Sequence, residues 1–154
     1  MRPMNQAAFQ ALLHEFARAS GARRTSIRPG VGTCEYRGVS VAVYFDEATD
    51  RSHLHTYIDF GAVPPEQQQR VYGALLRDNF RLQRRRRCFV GVDQETGRVV
   101  LVARIALEPA LDGDRLADIL GELIRAGDAW HLPDPRTRPV RLPIGPSRHR
   151  RRPS

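Results

Sequence analysis

The chain of 154 residues carries 25 arginines, no lysine and 17 carboxylates, a net charge of +8, with 41% apolar and 27% charged residues. That length holds one compact domain with a core. No apolar run reaches the roughly 18 residues of a membrane span, and two cysteines without CxxC spacing, Cys34 and Cys88, argue against a disulfide scaffold or a zinc site.

The charge is unevenly spread. Residues 1–130 hold 18 arginines against 16 carboxylates, a balance of +2, whereas residues 131–154 hold seven arginines against one aspartate, a balance of +6. The segment from His131 also holds six prolines. It cannot bury enough apolar area to offset its ordering entropy, so the composition predicts a domain over 1–130 and a disordered Pro/Arg-rich tail over 131–154.

Along the chain, Phe9, Leu12, Leu13 and Phe16 fall at helical spacing, with Asn5 as N-cap and Gly21 as stop. Pro29, Gly30 and Gly32 in TSIRPGVG predict a loop. Val39, Val41, Val43 and Phe45 alternate with polar or small residues, and Leu54, Thr56, Ile58 and Phe60 do the same after the polar turn DEATDRS, which predicts hairpin-linked strands. Pro64 and Pro65 open a second helix with Val71, Tyr72, Leu75, Leu76 and Phe80 on one side. Two further strands flank Asp93 to Gly97, where Gly97 supplies the left-handed turn. A third helix begins after Asp112 or Asp114 with a stripe of Leu116, Ile119, Leu120, Leu123 and Ile124, and runs to about Trp130. The predicted class is α+β: an antiparallel, twisted sheet of about five strands with three helices, in the order α-β-β-β-α-β-β-α.

The hairpin from Phe89 to Leu107 is apolar on both faces. Val99, Leu101, Ala103 and Ile105 point one way, Val100 and Val102 the other. A sheet covered by helices on one side shows a polar opposite face unless something covers it, and a second copy of the chain is the simplest cover. A homodimer is therefore expected.

Catalytic chemistry finds little support. His53, His55 and Asp59 share a strand face, but their neighbourhood lacks a further ligand at metal-like spacing; no GxSxG, nucleophile motif or phosphate loop occurs. The sequence predicts no enzyme, no cofactor and no metal. The run Arg84, Arg85, Arg86 and Arg87, read as an extended connector, fans its charges to alternate faces, and Phe80 and Phe89 sit at core positions instead of offering stacking platforms. With Arg150, Arg151 and Arg152 of the tail, this run defines the alternative reading, a small basic nucleic-acid-binding or regulatory protein.

Three stretches, in order, resemble a known family. LHTYIDFGAVPPEQQQRVYGALLRDNF is similar to a strand ending in D-x-G-x-hydrophobic-P before a helix with an A-L-L-x-x-N core, VGVDQETGRVVLVARIAL to a G-x-D-x-x-T-G-x-V-x-L hairpin, and LADILGELIRAGDAW to a closing helix. Together they resemble the class I type III secretion chaperones of the Tir chaperone (CesT-like) family. The resemblance implies a non-enzymatic homodimer in the bacterial cytoplasm, tied to virulence, that binds the N-terminal region of a secreted effector and keeps it extended, soluble and competent for export. It implies effector grooves drawn from Leu13, Phe16, Val41, Val43 and Phe45, and a dimer contact drawn from Val71, Leu75, Val100 and Val102. Members of that family are typically acidic; here the basic excess lies in the tail, which is expected to make an accessory contact with the effector, the export apparatus or nucleic acid.

Overall fold

The computed structural model describes residues 3–86 and 88–130. The first helix, α1 (Gln6–Ser20), begins where the Asn5 side chain accepts from Ala8 N at 2.8 Å and ends at Gly21, whose φ of 65° is left-handed. Phe9, Leu12, Leu13 and Phe16 form its buried stripe, as their spacing predicts.

Six strands follow in one antiparallel sheet: β1 (Arg23–Arg28), β2 (Val31–Tyr36), β3 (Val39–Tyr44), β4 (His53–Ala62), β5 (Cys88–Val92) and β6 (Arg98–Ala106), in the order β1-β2-β3-β4-β6-β5. The sixth strand is β1. It lies where the proline and glycines predict a loop, because only Ile27 in RRTSIR offers the inward apolar position by which a strand announces itself. The turn falls at Pro29 and Gly30, and Gly32 belongs to β2, where Leu13 packs so closely that a Cβ would collide with its Cδ1.

Between β4 and β5 a 3-10 turn (Pro65–Gln67) leads into α2 (Gln68–Arg86). The helix therefore continues through Arg84 and Arg86, and the expected extended connector is absent: arginine is a good helix former and nothing before Arg87 stops the helix. The last helix, α3 (Gly113–Ala126), is capped by Asp112, whose carboxylate accepts from Arg115 N at 2.8 Å.

One face of the sheet carries the core. Val41, Val43, Leu54, Ile58, Val99 and Leu101 are buried against Phe9, Leu12, Phe16, Leu116, Leu120 and Leu123 of α1 and α3. The two helices cross at Gly113, where a Cβ would stand 2.5 Å from the Glu15 carbonyl carbon, so only glycine allows that approach. Trp130, beyond α3, packs edge-on to Phe60 at 5.4 Å and donates its indole N–H to Asp78 Oδ2 at 2.7 Å. That contact ties the end of α3 to α2. The tail, residues 131–154, lies outside the described residues, and so does its expected disorder.

Candidate binding surfaces

α2 lies along the outer edge of β5. There the Asn79 amide donates to Val90 O at 2.8 Å and accepts from Val90 N at 2.7 Å, which satisfies an edge strand's outward backbone groups. Asn79 is the asparagine of the ALLRDN stretch, so its place in that pattern has a structural cause. The Asp-x-Gly stretch has one too. Asp59 Oδ1 accepts from Gly61 N at 2.8 Å across a bulge where Gly61 takes a φ of 97°, and Oδ2 accepts from Arg98 Nε at 2.8 Å. The two side chains are 1% and 10% exposed, so the pair is a buried tie between β4 and β6.

The five groove candidates are all buried in the single chain. Leu13 and Phe16 reach down from α1, Val41 and Val43 point up from β3, and Phe45 follows β3 and meets the Phe9 ring at 5.6 Å. Four of them, Leu13, Phe16, Val41 and Val43, line one small apolar cavity together with Thr25 and Ile27 of β1 and Gly32, Thr33 and Cys34 of β2.

The dimer candidates divide. Val71 and Leu75 are buried between α2 and the rest of the domain, while Val100 and Val102 are half-buried on the sheet face away from α1 and α3. Other apolar side chains are more exposed: Leu76 is 77% exposed, Phe80 72% and Phe89 52%, and Phe89 is the register partner of Val102. Phe80 and Phe89 were expected in the core. Five apolar residues on α2 span too wide an arc for one buried face, so the helix turns Val71 and Leu75 inward and leaves Leu76 and Phe80, one turn apart, outside. Phe89 sits between the buried Cys88 and Val90 and so takes the opposite face, in register with Val102, which in turn faces Tyr57.

His53 and His55 lie beside Asp50 and not beside Asp59, with which they share a strand face. Asp50, in the turn before β4, accepts from Arg104 Nη2 at 2.6 Å and from Ser52 Oγ at 2.8 Å, with His53 Nδ1 and His55 Nε2 each 3.3 Å away. Arg104 first, and then Ser52, hold the Asp50 carboxyl far below the usual carboxylate range. Asp59 stays apart, engaged by Arg98. Among the described residues no group of three or more His, Cys, Asp or Glu side chains has metal-binding geometry, and no helix is long and apolar enough to cross a membrane. Arg84 is exposed at the end of α2; Arg87 and the tail arginines Arg150, Arg151 and Arg152 lie outside the described residues, as do the side chains of Arg85 and Arg86.

A small α+β domain with a buried core, a sealed sheet edge and apolar side chains displayed outside that core is built for binding other chains. Residues 11–131 match the model of the Tir chaperone protein (CesT) family, and the chain belongs to that family, the type III secretion chaperones. A comparison with curated proteins found no match.

Proposed function

We propose that the chain is a cytoplasmic homodimer that binds the N-terminal region of a type III secreted effector and holds it extended until export. The observation that carries this reading is the family match over residues 11–131, nearly the whole described domain. Two features of the fold support it.

The first concerns self-association. Among the described residues Leu76 and Phe80 on α2 and Phe89 and Val92 on β5 are exposed, and Val100 and Val102 are half-buried, with Val102 opposite Phe89. Two copies that cover this surface remove it from water, and Val71 and Leu75 support it from beneath. The second concerns the sheet edges. α2 and Asn79 seal β5, so strand addition by a client falls to the β1 side. Binding there replaces the client's own fold with contacts to the chaperone.

The direct test is co-expression with the N-terminal region of a type III secreted effector from the same genome. A complex that survives size-exclusion chromatography is expected, with the client segment soluble only in the presence of the chaperone. Failure to form it, together with nucleic-acid affinity that falls steeply with salt and is lost on replacing Arg84 to Arg87 by alanine, would replace this reading with a polyanion-binding one.

A further inference from the structure

The apolar side chains that the family resemblance assigns to client contact are shut inside the single chain, so a client reaches them only where the chain opens. Leu13, Phe16, Val41 and Val43 line a cavity of about 10 Å³ that Thr25 and Ile27 of β1 also line. Room for about one water admits no client side chain while β1 stays in place.

β1 is weakly held. Five of its six residues are exposed, and only Ile27 packs partly against the core. Its ladder with β2 is interrupted between Arg23 and Ser26, and Arg24 takes a φ of 50°, a conformation disfavoured for any residue with a Cβ. The Arg24–Glu35 ion pair at 2.8 Å is a surface contact, and such pairs contribute little. Both ends of the strand are fixed at glycines with positive φ. Gly21 closes α1, and Gly30 is held by Gln6 Oε1, which accepts from its N–H at 2.8 Å, and by Phe45, whose N–H donates to the Gly30 carbonyl at 3.0 Å. These two fixed points hold α1 and β2 independently of the segment between them.

We propose that β1 is a built-in stand-in for the client strand. An extended client segment displaces it, pairs with β2 and sets its alternate apolar side chains on Leu13, Phe16, Val41 and Val43. This rests on the chaperone reading above and adds the site and the chemistry of its occupant. The occupant is defined by what β1 supplies imperfectly: an antiparallel strand with two successive inward positions, now Thr25 and Ile27, that leaves space unfilled. A segment with bulky apolar residues at both positions fills that space.

Three measurements test it. Hydrogen exchange on the full chain is expected to show the β1 amides opening at least ~10-fold faster than those of β3 and β4; equal protection overturns the proposal. A Ser26→Cys, Thr33→Cys variant joins directly opposed positions of β1 and β2. Once oxidised it is expected to lose affinity for the client segment of the co-expression test by at least ~10-fold, with recovery on reduction, because the competent fraction vanishes. Ile27→Ala, which loosens β1, is expected to raise affinity about 3-fold or more by enlarging that fraction; a fall means that β1 itself contacts the client and overturns the proposal. If oxidised and reduced forms bind equally, the displacement is wrong and the chaperone reading stands. If neither binds, and the unmodified chain does not bind either, both fall.

Discussion

Asn79 grips both backbone groups of Val90, donating to its carbonyl and accepting from its N–H, so one side chain on α2 closes the outer edge of the sheet. Asn79→Ala removes two hydrogen bonds and leaves a buried strand residue with unpaired backbone groups, for an expected loss of about 2–3 kcal/mol in urea unfolding. Asn79→Asp keeps the acceptor for Val90 N and loses the donor, so it should fall between the two. An alanine variant as stable as the parent would show that water replaces the clamp at no cost.

The glycines separate into those that permit a close approach and those that do not. Gly113→Ala drives a Cβ into the backbone of Glu15 and Phe16, which cannot rotate away, and should cost about 1–3 kcal/mol by parting α1 from α3. Gly73→Ala, within α2 with nothing inside 4 Å, should stabilise the helix by about 0.5–1 kcal/mol. Opposite shifts of the urea midpoint check both at once.

Leu76 and Phe80 anchor the proposed self-association. Leu76→Gln combined with Phe80→Ser should halve the mass measured by light scattering at micromolar concentration and leave the far-ultraviolet circular dichroism unchanged, since neither side chain enters the core. A parent protein already at the mass of one chain would remove the dimer from the proposal.

Burial pushes the Cys34 thiol up from its ordinary value of 9.0 to about 11, with Glu35 adding to the effect. A group whose folded value is raised contributes stability that is fully present below the unfolded value and declines as the pH rises towards the folded one. The Cys34 contribution should therefore be intact at pH 8 and fall between about 9 and about 11. Comparing unfolding midpoints of the parent and Cys34→Ala across that range isolates it. Identical slopes would mean that the thiol is more open to water than its position indicates.

The strongly periodic elements were legible from sequence. α1 and α3 show their faces through apolar spacing and their caps through Asn5, Gly21 and Asp112; β3, β4 and the β5–β6 hairpin show theirs by alternation. What escaped has physical reasons. β1 is a polar edge strand with one inward apolar residue, too weak a pattern to register. The run at Arg84 reads as a connector only if the helix stops, and nothing in it breaks a helix. Phe80 and Phe89 read as core because aromatics usually are; Phe80 is exposed because the apolar arc of α2 is too wide to bury whole, and Phe89 because it alternates with the buried Cys88 and Val90. Asp50 is a turn residue until the fold brings Arg104 against it from 54 positions away. The A-L-L-x-x-N and D-x-G patterns, by contrast, were visible as strings, and the structure supplies their causes in the Val90 clamp and the Arg98 tie.

The two margins of the sheet differ in a way that bears on fibril growth. An open strand edge invites copies of the same protein to stack without limit. Here one margin is occupied by Asn79, and the other carries Arg23, Arg24 and Arg28, so two such margins meeting would crowd three guanidinium groups from each copy together. Neither pairing propagates. With β1 in place its arginines repel a second copy, and under the displacement proposed above a client meets β2 instead, so the edge would admit one guest without becoming a template.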